Sequence, residues 1–147
     1  AQDQLGQIGI KLNVDTMEWS AYLTDVLLAQ DFDITIVGVG GGTEVDGIAY
    51  NILLTENDVA GSGFNLTSYV NPRVDELLKE GRTLAGCDPD ARAAIYQELQ
   101  EIVKEDVAYD FTVVTNQVHV MNSRVENYQP GPWNAQWQIP TWGIIGG

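Results

Sequence analysis

Basic residues, histidine and cysteine are scarce in this 147-residue chain. It has 7 Lys and Arg residues against 21 Asp and Glu residues, a formal net charge of -14, one His and one Cys. Nucleic acids and anionic membrane surfaces repel such a protein, because phosphate binding needs clustered Lys or Arg. The single cysteine, Cys87, cannot form an internal disulfide or a Cys-rich zinc site. No apolar run approaches the roughly 20 residues that cross a bilayer.

The N-terminus lacks an initiator methionine, a basic segment and an apolar segment. It is therefore not a signal peptide. Residues 1–8 instead predict the end of a helix, and Gly9 is the residue type that most often stops one. We therefore expect the chain to begin inside a structural element and to be a piece of a longer protein.

The first 40 residues carry a strand–helix–strand pattern. Apolar and polar residues alternate over residues 10–14, which predicts a half-buried strand. Apolar residues at helical spacing predict a helix over residues 16–30. The β-branched residues of 32–39 predict a second strand. This order predicts a parallel strand pair with a right-handed crossover.

Two helix start signals follow, Asn71-Pro72 and Asp88-Pro89, in each of which a capping side chain precedes a proline at the first helical position. Residues 110–121 return to strand character, with a turn at 115–116. The order of elements predicts an α/β domain. The side chains expected to be buried on the two helices are Val74, Leu77, Leu78, Gly81, Ile95, Leu99, Ile102 and Val103.

A Gly-rich segment follows the second predicted strand. Ligands of parallel α/β sheets bind beyond the carboxyl ends of the strands, and glycine lets them approach the backbone closely. A dinucleotide fingerprint would need a third glycine where Thr43 stands, and no basic residue lies between Lys11 and Arg73 to hold a phosphate. The alternative is a surface loop that binds nothing. The candidate ligand-binding residues of this segment are Gly40, Gly41, Gly42, Thr43, Glu44 and Asp46.

The carboxylates of Glu44 and Asp46 allow two interpretations. As a pair they could serve acid/base chemistry or bind a cation. Alternatively the loop is a solvated acidic turn, and Asp46 only caps a short helix that ends near Leu54.

Catalysis has little support in the sequence. The lone His119 would need a nucleophile and an orienting acid, and no motif of the G-x-S-x-G kind occurs. Acidic neighbours would raise the pKa of the Cys87 thiol and weaken it as a nucleophile. We therefore expect no enzyme activity and neither a cofactor nor a metal. A hydrolytic enzyme that uses Glu44, Asp46 or His119 remains the alternative.

Three tryptophans, Trp133, Trp137 and Trp142, lie in a Pro-rich segment without a regular pattern. Such aromatic side chains either line a pocket that stacks on sugar rings or apolar groups, or they pin the C-terminal tail onto the core.

Four blocks together resemble the C-terminal part of the extracellular solute-binding proteins of family 5, which serve ABC importers and include oligopeptide, dipeptide and nickel binders. The family's Q-L-x-x-I-G-I-x-V is similar to residues 4–12, and its D-F-D strand entry to residues 31–33. Its N-x-x-x-Y-x-N-P-x-V-D-x-L-L is similar to residues 65–78, and its R-x-x-x-Y-x-x-x-Q helix to residues 92–100. The resemblance covers nearly the whole chain.

The resemblance implies one lobe of a type II periplasmic-binding-protein-like fold, with a mixed sheet flanked by helices. Residues 1–147 would form a single C-terminal lobe fragment, with the partner lobe and export signal upstream. The full-length protein would be monomeric, extracytoplasmic (periplasmic or at the cell surface) and lipid-anchored. It would capture a solute and deliver it to the membrane subunits of a permease, without nucleic acid as a partner. This chain would supply one wall of the cleft.

The loop departs from the peptide-binding pattern of the family. Members that bind peptides often carry a tryptophan there, followed by an Asp that pairs with the peptide amino group, and Val39 or Gly40 replaces that tryptophan. Glu44 is the candidate for the amine partner. A peptide is the favoured ligand, and the alternative is an oligosaccharide stacked on Trp133 or Trp137. Asn65, which opens the third block, completes the candidate ligand-binding residues.

Overall fold

The computed structural model describes residues 1–40, 45–116, 118–131 and 135–146. Its helices are α1 (Gln2–Gln7), α2 (Trp19–Ala21, continued as a π-helix over Tyr22–Leu27), α3 (Val45–Leu53), α4 (Pro72–Thr83) and α5 (Pro89–Asp106). Single 3-10 turns span Thr55–Asn57, Ala85–Cys87 and Ile139–Thr141. Two short strands, β1 (Val125–Glu126) and β2 (Gly143–Ile144), pair antiparallel, with Val125 opposite Ile144.

The starts of α4 and α5 are as predicted. The Asn71 side chain accepts hydrogen bonds from the backbone N–H groups of Arg73 and Val74, and a proline follows it. Asp88 does the same for the backbone N–H groups of Asp90 and Ala91. Both caps satisfy donors that the first helical turn leaves without a partner.

The core lies between α3, α4 and α5. Helix α4 packs on α5 so closely that a Cβ placed on Gly81 would lie 2.9 Å from the ring of Tyr96. The predicted burial holds for these helices, with Ile102 only partly buried. The buried apolar side chains of this core are Ile52, Leu53, Leu54, Val74, Leu77, Leu78, Ile95, Tyr96, Leu99 and Val103.

The predicted strands at residues 10–14, 32–39 and 110–121 are wrong for the described residues, where these segments are irregular or extended without a ladder. The α/β class holds, yet the sheet of the described ranges has two antiparallel strands and no parallel pair. The alternation of apolar residues indicated an extended chain with one buried face, but a strand also needs a hydrogen-bonding neighbour. Ile36 is 91% exposed as a result.

The first long helix is shorter than the predicted 16–30. It begins at Trp19 because the Glu18 carboxylate accepts hydrogen bonds from the N–H groups of Ser20 and Ala21. Its predicted apolar face is partly buried: Leu27 is the one fully buried side chain of the helix, most of the others on that face are half-buried, and Trp19 is exposed. The Tyr22 hydroxyl contacts the Thr35 hydroxyl at 2.7 Å and donates to the Ile36 carbonyl, which attaches the extended segment to α2.

Candidate ligand-binding site

The first turn of α3 follows the Gly-rich segment directly and carries Asp46. Four of the predicted ligand-binding residues, Gly41, Gly42, Thr43 and Glu44, lie outside the described residues. Gly40 ends an exposed extended stretch, with open space around its Cα. The predicted helix end near Leu54 agrees with the end of α3 at Leu53.

The Asp46 carboxylate contacts two arginines. One oxygen accepts a hydrogen bond from Arg82 Nε at 2.9 Å, and the other lies 3.5 Å from Arg92 Nη2. The Asp46 side chain is only 14% exposed. Its negative charge is therefore compensated by arginines of α4 and α5, an arrangement that neither interpretation of the sequence, a ligand-binding carboxylate pair or a solvated acidic turn, included.

Arg82 is also stacked on an aromatic ring. The carbon at the centre of its guanidinium lies 3.6 Å from the ring centroid of Tyr50. Asp46 and Tyr50 are four residues apart and so share one face of α3. The hydrogen bond to Asp46 raises the pKa of the Arg82 guanidinium.

Sequence reasoning missed Arg82, Arg92 and Tyr50. Two features of the sequence could have indicated the arginine contacts: Arg82 lies in the last turn of α4, and Asp46 and Tyr50 lie four residues apart on α3. What the sequence did not contain is the packing of α3 against α4, which is what brings these side chains together.

Asn65 is fully buried. Its side-chain amide nitrogen donates to the carbonyls of Leu54 at 3.2 Å and Tyr69 at 2.8 Å, and its oxygen accepts from the Tyr69 N–H at 3.1 Å. Both amide hydrogens are therefore used within the chain. The ligand contact assigned to Asn65 stays a prediction, and it would require one of these hydrogen bonds to open.

A polar cluster at the end of α5 consists of Tyr69, Asn71 and Asp106, and its first two members come from the loop that contains Asn65. The Tyr69 hydroxyl donates to Asp106 Oδ2 at 2.5 Å, and the Asn71 amide donates to the same oxygen at 2.8 Å. Burial and the Asp106 carboxylate raise the pKa of Tyr69 to about 12. The same hydrogen bonds lower the pKa of Asp106.

Of the predicted aromatic platform, Trp133 lies outside the described residues and Trp137 is 57% exposed. Trp142 packs edge-on against Tyr128, with 5.1 Å between the ring centroids. The ring centroids of His119 and Tyr128 are 6.2 Å apart. Trp142 thus anchors the C-terminal segment, while Trp137 presents its ring to solvent.

An open depression of about 330 Å³ lies between α1 and residues 9–13, and none of the candidate ligand-binding residues lines it. None of the helices in the described part of the chain combines the length and apolar character needed to cross a bilayer. Nor do three or more His, Cys, Asp or Glu side chains of that part lie together as a metal site would require.

The chain is similar to parts of several larger proteins, two of which are peptide-binding proteins by name. It is 27% identical over 142 residues to the oligopeptide-binding protein AppA of Bacillus subtilis. This match covers 96% of this chain and 25% of AppA. It is 30% identical over 135 residues to the probable D,D-dipeptide-binding periplasmic protein DdpA of Escherichia coli (92% of this chain, 25% of DdpA). Protein XP55 of Streptomyces lividans is 34% identical over 121 residues, which are 79% of this chain and 20% of XP55.

The solved structure of AppA in complex with a nonapeptide is similar over 99% of this chain and 28% of the AppA chain, with a TM-score of 0.82 and 26% identity. No protein-family model matches the chain. The chain spans about a quarter of the length of AppA and DdpA. AppA and DdpA are binding proteins by name, in agreement with the expectation that the protein is not an enzyme. The resemblance to solute-binding proteins is thereby confirmed: over nearly its whole length the chain is similar to part of the peptide-binding proteins AppA and DdpA.

Proposed function

We propose that the protein captures a peptide outside the cytoplasm and delivers it to an ABC-type permease, with this chain as one wall of the peptide cleft within a single lobe. The observation that carries the proposal is the likeness, along 99% of the chain, to AppA with its bound nonapeptide. The names of AppA and DdpA point to the same ligand class, and the name of DdpA supports a periplasmic location. Attachment by a lipid anchor and a monomeric state belong to the same proposal.

The ligand wall consists of the segment from Gly40 to Asp46 and the platform of Trp133 and Trp137. No basic residue lies between Lys11 and Arg73. The Glu44 carboxylate, with no basic residue near it in the sequence, favours the positive amino terminus of a free peptide and disfavours anionic solutes. Because Asp46 is already paired with Arg82 and Arg92, Glu44 is the proposed partner of the peptide amine.

An oligosaccharide is the second candidate ligand. The observation in its favour is Trp137, whose ring is more than half exposed beside an irregular backbone. An exposed indole face is a stacking surface for a sugar ring as well as for an apolar side chain.

Calorimetric titration of the protein separates these ligands. The probes are a mixed-sequence nonapeptide library, the same library with acetylated amino termini, and maltopentaose. We expect binding of the free peptides, weaker binding of the acetylated ones and none of the sugar. Equal affinity for both libraries would show that Glu44 does not recognise an amine. Binding of maltopentaose alone would favour the second candidate, and silence from all three would reject both.

Two matched tryptophan variants test the platform. Trp137 and Trp19 are similarly exposed, at 57% and 61%, but Trp19 lies on α2, outside the segments assigned to the proposed wall. We expect Trp137→Ala to weaken nonapeptide binding about tenfold, as the loss of an aromatic anchor does. Trp19→Ala should leave the affinity unchanged. Equal effects of the two variants would remove Trp137 from the wall.

A further inference from the structure

Asp46 lies where a ligand-binding carboxylate is expected, yet it belongs to a partly exposed ion pair with two arginines. Both carboxylate oxygens face guanidinium groups, at 2.9 Å for Arg82 and 3.5 Å for Arg92. A ligand amine would have to displace at least one arginine from a side chain that is 14% exposed. This geometry fits an Asp46 carboxylate that fixes the positions of Arg82 and Arg92 rather than one that binds a ligand.

The two arginines connect Asp46 to the stable part of the molecule. Arg82 belongs to the last turn of α4, and its guanidinium lies between the Asp46 carboxylate and the Tyr50 ring. Arg92 belongs to α5 and lies over the ring of the core residue Tyr96, 5.6 Å from its centroid. The first turns of α3 are therefore attached to α4 through Arg82, whose planar guanidinium contacts both Asp46 and Tyr50 on one face of α3. They are attached to α5 through the contact of Arg92 with Asp46.

We propose that Arg82, together with Asp46, is a positioning element for the ligand wall: the ion pair and the stack on Tyr50 fix the first turn of α3, and the residues proposed to contact the ligand precede that turn directly in the chain. Asp46 then acts through its arginines and does not touch the ligand. This inference rests on the proposed function and changes the role of one residue within it.

Hydrogen exchange tests the anchoring without any ligand. The variants are Asp46→Asn, Arg82→Gln and the double variant. Arg73→Gln is the control, because the Arg73 side chain is 47% exposed, close to the 46% of Arg82, and its ion pairs are with Glu98 on α5 and Glu76 on α4. We expect either single variant to speed exchange of the amides of residues 46–49 about twofold to fivefold, the usual range for a partly exposed ion pair. The double variant should add little, since both changes remove one interaction.

Peptide affinity then separates positioning from direct contact. We expect Arg82→Gln and Asp46→Asn to weaken binding of the mixed-sequence nonapeptide library by similar factors, with no further loss in the double variant. Arg82→Lys should restore little, because an ammonium neither stacks on Tyr50 nor presents a planar fork to the carboxylate. Arg73→Gln should leave the affinity unchanged.

Three outcomes would overturn the inference. Loss of affinity in Asp46→Asn but not in Arg82→Gln would make Asp46 a ligand contact. Unchanged exchange at residues 46–49 in both single variants would show that the pair fixes nothing. Full rescue by Arg82→Lys would reduce the role of Arg82 to its charge. If the unaltered protein binds no nonapeptide, the proposed function fails, and the exchange measurement alone decides whether the pair anchors α3.

Discussion

Asn65 joins three backbone groups, the carbonyl of Leu54, which also accepts a hydrogen bond from the Asn57 N–H, and the carbonyl and N–H of Tyr69. Its amide therefore closes the loop between α3 and α4 from inside. This explains a polar side chain at a position with no exposure, where an unpaired amide would be costly.

We expect Asn65→Ala to lower the free energy of unfolding by about 3 kcal/mol, because the substitution leaves buried backbone groups without partners. Urea denaturation followed by circular dichroism measures the change. Asn13→Ala, at an exposed position, is the control and should stay within about 0.5 kcal/mol of the native protein. A loss in Asn65→Ala no larger than in this control would contradict the structural role of Asn65.

The Tyr69–Asp106 contact predicts two limits of stability against pH. The pKa of Asp106 is lowered in the fold, so its contribution is present above the ordinary pKa of Asp and is lost as the pH falls below it. The pKa of Tyr69 is raised to about 12, so its contribution is present below pH 10.0 and is lost as the pH rises from there towards 12.

Absorbance titration at the tyrosinate band checks the alkaline limit. We expect Tyr69→Phe to remove a component that titrates near pH 12, and Asp106→Asn to move that component to lower pH. The alkaline loss of stability should be smaller in Tyr69→Phe. A titration curve that Asp106→Asn leaves unchanged would show that the carboxylate does not hold the Tyr69 proton.

At the scale of the helices, the approach of α4 to α5 depends on the missing side chain of Gly81. A Cβ there would meet Tyr96 ring atoms at 2.9 Å, well inside van der Waals contact. The helix itself would favour alanine over glycine by about 1 kcal/mol. Packing and helix propensity therefore oppose each other at this position.

We expect packing to dominate, so that Gly81→Ala destabilises the protein by about 1–2 kcal/mol net, within the range for overpacked cores. Gly6→Ala in α1 is the matched control, since its Cβ would have open space and should stabilise by up to about 1 kcal/mol. Chemical denaturation of both variants measures the change in their free energy of unfolding. A neutral or stabilising Gly81→Ala would mean that α4 and α5 can separate at little cost.

The helices could be predicted from the sequence, and the sheet could not, for a physical reason. Capping by Asn71 and Asp88 depends on residues two and three positions away, so its signal is local. Strand formation at 32–39 depends on a neighbour that the pattern does not specify. The same limit applies to the site: the loop before α3 was predicted from its glycines, whereas the arginines that hold Asp46 come from other helices.

At the scale of the whole molecule, tertiary structure is concentrated in the segment from α3 to α5. The buried core runs from Ile52 to Val103, with one further buried apolar side chain, Leu27, in α2. The described residues after α5 are largely exposed, and α5 ends at Val107 in a left-handed conformation. The chain therefore changes character abruptly at this residue.

We expect hydrogen exchange to report this division. Amides of α4 and α5 should exchange slowest, at rates set by global unfolding, while residues 110–116 and 32–40 should exchange near the rate of an open chain. Mass spectrometry of peptic fragments resolves these regions. Protection of residues 110–116 comparable with that of α5 would show that the extended segment is paired in solution.

The exposure of the extended segments also has a thermodynamic consequence. Ile36 and Val114, at 91% and 96% exposed, already have nearly the surroundings of an unfolded chain, so their hydration hardly changes when the protein unfolds. A fully packed protein of 147 residues would have a heat capacity of unfolding of about 2 kcal/mol/K. We expect scanning calorimetry to give a clearly smaller value, together with a shallow dependence of stability on urea. The chain should then have a broad, flat stability curve and a gradual thermal transition for its length.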